Sequence, residues 1–167
     1  MTRVFFPALL VALMAAAAAA AFPPHAKLVL RSTSLGSVLA DGRGHSLYLF
    51  EADKGSKSAC YGQCAAVWPP FLTTSRPTAG AGVRTGALTT TKRKDGKLQV
   101  VYAGHPLYFF SGDARAGQVK GEGIVHFGGA WYVVDAAGAK VEKAAAPPPT
   151  TTTNPYPGYG GGGAYGP

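Results

Sequence analysis

Charge is scarce in this sequence. Asp, Glu, Lys and Arg make up 14% of the 167 residues, about half the share found in ordinary soluble domains. That scarcity argues against a long solvent-exposed helix or a coiled coil, whose outer faces are laced with charge. Cysteine is scarcer still, with two in the chain, which excludes a disulfide-dense mini-protein. Between residues 26 and 143 no helical periodicity lasts three turns, so any helix is expected to be one or two turns long, near Ala59 to Val67. Common catalytic signatures are missing too. There is no Gly-x-Ser-x-Gly, no phosphate-cradling loop ending in Gly-Lys-Ser/Thr, no His-Glu-x-x-His and no calcium loop. The reading is therefore of a chain that is not an enzyme and that needs no cofactor. Glycine and proline are plentiful, at 23 and 13 residues, as turn-rich β proteins require.

The first 21 residues read as a signal peptide. Arg3 gives a positive start, Val4 to Met14 an apolar stretch, and the alanines up to Ala21 the small residues that a signal peptidase needs, with cleavage near Ala20 or Ala21. The competing reading keeps this run as a membrane anchor. After cleavage no transmembrane segment is expected, and the location is extracytoplasmic, periplasmic or released. From Ala144 to Pro167 the chain turns to Pro, Thr, Gly and Tyr with no charge and no large aliphatic residue, a composition expected to stay disordered. The folded domain is thus placed at residues 26–143. Length allows one core and not two, and a monomer is expected.

Net charge is +8, which favours an anionic envelope component, such as phospholipid headgroups or acidic polysaccharide, as a partner. The one tight basic group is Lys92, Arg93, Lys94 and Lys97, read as a solvated hairpin tip. No recognition helix or arginine-rich arm accompanies it, so specific nucleic-acid binding is not expected.

One feature dominates the folded region. Gly44-His45-Ser46-Leu47-Tyr48-Leu49-Phe50-Glu51-Ala52-Asp53 returns sixty residues later as Gly104-His105-Pro106-Leu107-Tyr108-Phe109-Phe110-Ser111-Gly112-Asp113, identical at six of ten places. Each copy is followed by a tryptophan, Trp68 and Trp131. Two copies are too few for a solenoid. The expectation is one small all-β domain of two pseudo-symmetric antiparallel meanders, copies at about 36–72 and 91–135, with at most short helices. Strands are expected at Lys27 to Ser32, Ser37 to Ala40, Leu47–Phe50, Leu88 to Arg93, Lys97 to Tyr102 and Leu107–Phe110. A further hairpin is read over residues 123–134, with a short closing strand around Lys140 to Glu142. Asp95-Gly96 is the strongest turn signal.

In each copy Tyr and Phe (Tyr48 and Phe50; Tyr108 and Phe110) alternate with Leu47 and Leu49, or Leu107 and Phe109. Both faces of the strand are then apolar, as in a strand covered on both sides. Asp53 and Asp113 follow five residues after each tyrosine, where a carboxylate can accept main-chain N–H groups and lock the turn. The sharper alternative makes them a paired-carboxylate site across the pseudo-symmetry axis, for acid/base work or cation binding. His45 and His105 occupy equivalent turns. They are read as structural, with a copper, zinc or haem site joined by His126 as the alternative. Cys60 and Cys64 are expected to form a disulfide closing a small loop, a two-thiolate metal site being the alternative. Trp68, leading into Pro69-Pro70, is expected to pack on that loop.

With the two Tyr-x-Phe-x-x-Asp strands and the run Cys60-Tyr61-Gly62-Gln63-Cys64-Ala65-Ala66-Val67-Trp68-Pro69-Pro70, the chain resembles the bacterial secreted-repeat proteins described as predicted lipoproteins. The first copy corresponds from Gly36 to Pro70. The second runs from Thr91 through Tyr108 and Asp113 to Gly121-Glu122-Gly123 and Trp131-Tyr132-Val133-Val134. The resemblance implies export and a small repeated β domain, with no established biochemical activity. This chain lacks the lipid-acceptor cysteine of a lipoprotein. The functional expectation is an exported, non-catalytic structural or binding module of the cell envelope. An envelope redox or metal- or haem-binding protein is the alternative.

Overall fold

A computed structural model of the chain describes residues 25–142. The expected signal peptide and the Pro/Thr/Gly/Tyr-rich tail lie outside the described residues. Strands dominate, in three small sheets. The first is a hairpin of β1 (Lys27–Thr33) and β2 (Gly36–Asp41), running from Leu28 opposite Asp41 to Thr33 opposite Gly36. β5 (Thr78–Ala79) joins its other edge in parallel, a departure from wholly antiparallel pairing. The second sheet has the order β3 (Tyr48–Phe50), β10 (Gly129–Val133), β9 (Val125–His126). The third has β4 (Leu72–Thr73), β7 (Leu98–Tyr102) and β6 (Leu88–Lys92), with β8 (His105–Pro106) also on β7. Among the described residues one α-helix, α1 (Gln63–Val67), lies where a short helix was expected, and one 3-10 turn spans Thr85–Ala87. Among the described residues no helix is long and apolar enough to cross a membrane.

The alternation within the repeated strand separates two cores. Leu47, Leu49 and Leu107 join Leu28, Leu39, Phe71, Val100 and Tyr102 in one cluster. Tyr48, Phe50 and Tyr108 join Trp68, Trp131, Val133 and the two cysteines in the other. A strand whose side chains point alternately up and down thus belongs to both cores at once, and Tyr48, Leu49 and Phe50 are all buried.

Turn chemistry fixes the hairpins. Ala103-Gly104 connects β7 to β8 as a two-residue loop with φ of 48° and 88°. Positive φ at both positions gives the backbone twist that matches the flanking strands. The expected Lys94-Asp95-Gly96 turn closes β6 onto β7, with Arg93 N–H donating to Lys97 O at 2.9 Å.

Three expectations need correction. Residues 107–110 do not form a full strand: Tyr108 makes isolated bridges to Tyr48 and Pro70. Its neighbour on that side is Trp68-Pro69-Pro70, and prolines have no N–H to donate into a ladder. The closing strand around Lys140 to Glu142 shrinks to one bridge between Val134 and Lys140. Arg93 is not part of a solvated tip. It is 4% exposed while Lys92, Lys94 and Lys97 are exposed, because its guanidinium turns inward to a polar network described below.

Candidate functional site

The two copies meet at their tyrosines. Tyr48 N–H donates to Tyr108 O at 2.8 Å, and Tyr108 N–H to Tyr48 O at 3.0 Å, a mutual pair across an approximate two-fold axis. Around that axis the motifs are crossed. β3 of the first copy pairs with β10 of the second, Tyr48 opposite Val133 and Phe50 opposite Trp131. Reciprocally, Phe109 N–H donates to Pro69 O and Ser111 N–H to Val67 O. Each tyrosine segment therefore lies against the tryptophan segment of the other copy.

The side chains repeat the exchange. The Tyr48 hydroxyl donates to Asp113 Oδ2 at 2.5 Å, and the Tyr108 hydroxyl to Asp53 Oδ2 at 2.9 Å. The second oxygen of each carboxylate accepts a loop N–H, from Ala59 to Asp53 Oδ1 at 2.7 Å and from Lys120 to Asp113 Oδ1 at 2.9 Å. Identical turns present the two acids, Asp53 N–H donating to Phe50 O and Asp113 N–H to Phe110 O. The carboxylates thus receive main-chain N–H groups, as expected of turn aspartates. The crossed tyrosine contact has no signal in sequence spacing. Among the described residues no hydrogen bond joins the two aspartates.

Burial shifts these groups. It pushes Asp53 up to about 6, against the lowering pull of the Ala59 N–H, the Tyr108 hydroxyl and Arg93. Burial also raises Tyr48 and Tyr108 well above the usual phenol range, with the facing carboxylate adding to the rise in each. Both phenols therefore stay protonated and serve as donors.

An aromatic stack fills the space between the clasps. Trp68 and Trp131 lie parallel, 4.0 Å apart at 3°. Phe50 stacks on Trp131 at 4.0 Å, and Phe110 leans on Trp68 at 4.4 Å. The order Phe50, Trp131, Trp68, Phe110 alternates between copies. Tyr48 and Tyr108 meet the indoles edge-on, at 5.4 and 5.1 Å, the geometry that aromatic quadrupoles favour. Symmetry ends at the indole N–H groups. That of Trp131 donates to His126 O at 3.1 Å, whereas that of Trp68 is buried without a partner.

Cys60 and Cys64 form a disulfide beside Trp68 in the same core. His45 Nδ1 lies 3.6 Å from Asp41 Oδ1, His105 is half-buried in β8, and His126 stacks on Phe127 at the β9–β10 turn. Among the described residues no three His, Cys, Asp or Glu side chains are grouped to hold a metal ion.

Sequence reasoning missed the polar network behind Tyr108. Arg93 donates to Ser58 Oγ at 2.9 Å, to Gln99 Oε1 at 2.5 Å and to Cys60 O at 2.8 Å. Gln99 donates onward to Leu107 O, and Ser58 Oγ lies 2.8 Å from the Tyr108 hydroxyl. A buried arginine needs such partners. It also missed a cavity of about 470 Å³ between the β1–β2 end of the domain and the second copy's phenylalanines, with walls that include Pro69, Phe71, Phe109 and Phe110 and a rim that includes Lys27 and Arg43.

Fold and site together define a duplicated all-β module whose two copies complete each other's motif. The secreted-repeat pattern matches residues 29–71 and 89–135, and the chain belongs to that family, a secreted repeat of unknown function. No curated protein and no solved structure matches it.

Proposed function

We propose that this exported chain is a non-catalytic module of the cell envelope that works by binding an anionic component, with the duplicated motif as its scaffold. The crossed clasp carries this reading. Both oxygens of Asp53 and of Asp113 already accept hydrogen bonds, and both tyrosine hydroxyls donate into them. Hydrogen bonds of this kind, made in the same way in both copies, hold main chain in place, which supports a scaffold role for the motif. The net charge, +8 for the full sequence and +7 once the expected signal peptide with Arg3 is removed, supplies long-range attraction to anionic surfaces.

The test is cosedimentation of the purified exported chain with vesicles of phosphatidylcholine alone, vesicles also containing phosphatidylglycerol, and a carboxylated polysaccharide. Retention by an anionic phase and release by salt supports the reading. Equal retention on neutral vesicles, or none on any phase, overturns it. Asp113→Asn is expected to lower the melting temperature and leave retention intact below it. Loss of retention in the folded variant would make the motif itself the binding site.

A further inference from the structure

We propose that the cavity bounded by Pro69, Phe71, Phe109 and Phe110 is a binding site for a small amphiphilic carboxylate, a molecule with an apolar body and one anionic head. The proposal rests on the reading of the chain as a binding module and gives that module a half-open pocket for a small molecule.

Three observations carry it. The first is a break in symmetry. Leu49 and Phe50 of the first copy are 4% and 3% exposed, while their counterparts Phe109 and Phe110 are only partly buried and line the cavity. One scaffold built twice has been covered on one side and left open on the other. The open side has a volume of about 470 Å³, within the range of roughly 300–1,000 Å³ that holds drug-sized ligands. Phe71 meets Phe109 edge-on at 5.2 Å, so the wall is braced by the core behind it.

The second is charge. Lys27 and Arg43 stand at the rim, and neither has an ion-pair partner among the described residues. Two acids, Asp41 and Asp113, belong to the same lining and are fixed in place by neutral donors. Asp41 Oδ1 accepts from the Arg43 and His45 N–H groups at 2.9 Å each, and Asp113 holds Tyr48 and the Lys120 N–H. The lining therefore carries two cations without ion pairs and two carboxylates held by neutral donors, so an anionic head would dock at Lys27 and Arg43, over the apolar walls and away from Asp41 and Asp113.

The third is Ser46, which lines the cavity where the second copy has Pro106. Its residue is 1% exposed, and its Oγ is buried with no hydrogen-bond partner. A buried hydroxyl without a partner is costly; this one has no surface open to the cavity, so a ligand oxygen would satisfy it only by shifting this wall.

The test uses 2-naphthoate as probe and 2-naphthalenemethanol as its uncharged counterpart, titrated into the isotope-labelled exported chain and followed by amide chemical shifts. Saturable one-site changes centred on Ser46, Phe109 and Leu72 are expected, with the alcohol binding about tenfold or more weakly, as loss of a charge-assisted contact implies. The double variant Lys27→Gln/Arg43→Gln alters exposed side chains and leaves the core intact. It should bring naphthoate down to the alcohol's affinity and leave the alcohol unchanged. Shifts that scatter over the surface without saturating, or a double variant that binds naphthoate as tightly as the parent, would overturn the proposal. Failure here together with salt-sensitive retention on anionic vesicles rejects the cavity site and spares the envelope-binding reading.

Discussion

At the scale of single residues, the crossed Tyr–Asp pairs make a claim about which side chains are energetically coupled. Tyr48 donates to Asp113 and not to Asp53 of its own copy. Double-mutant cycles on melting should therefore give a coupling of about 0.5–3 kcal/mol for Tyr48→Phe with Asp113→Asn. The same tyrosine change with Asp53→Asn should be additive, and a reversed pattern would show that the copies are not interlocked. Asp53 also makes stability depend on pH. Burial raises it from an ordinary value of 3.8 to about 6, so between these values the folded chain keeps a proton that the unfolded chain has released. The stabilisation from this group is complete below about pH 4 and is lost as pH rises through 6. Asp53→Asn removes the titration, so the melting temperature of the variant minus that of the parent should rise across this window and level off above it. A difference that is flat with pH would refute the assignment.

At the scale of elements, the Phe50–Trp131–Trp68–Phe110 stack is the seam between copies. Trp68 and Trp131 are both fully buried, and truncating a buried tryptophan costs about 3–5 kcal/mol. Trp68→Ala should destabilise by that order in denaturant melts, and it should also remove the coupled near-ultraviolet circular dichroism of two parallel indoles. A loss under 1 kcal/mol would mean that the stack is incidental. Much of this scale was legible in the sequence. Period-two alternation in Leu47-Tyr48-Leu49-Phe50 separates the two cores correctly, and Asp95-Gly96 marks its hairpin, because both signals are local. What was not legible depends on distant partners. Residues 107–110 have the composition of a strand, yet their ladder fails because the segment opposite contains Pro69 and Pro70. Arg93 sits among lysines in sequence, and only the approach of Ser58, Cys60 and Gln99 explains its burial. The cavity arises from a difference in covering between the two copies of the tyrosine segment, which no motif records.

At the scale of the whole molecule, two copies joined in this way should melt as one. Each half lacks the strand partner of its tyrosine segment, the acceptor for its tyrosine hydroxyl and half of its aromatic stack. Residues 25–87 and 88–142 made as separate polypeptides should each lack dispersed amide resonances and a cooperative transition, whereas the intact domain unfolds in one step. Independent folding of either half would contradict the crossed arrangement. The mutual Tyr48–Tyr108 backbone pair has a consequence for any chain that carries this unit once. Such a chain could make these same crossed contacts only with a second molecule, so a single-unit version is expected to pair head to head. Here covalent linkage makes that partnership unimolecular, and it frees each half to diverge without losing its mate.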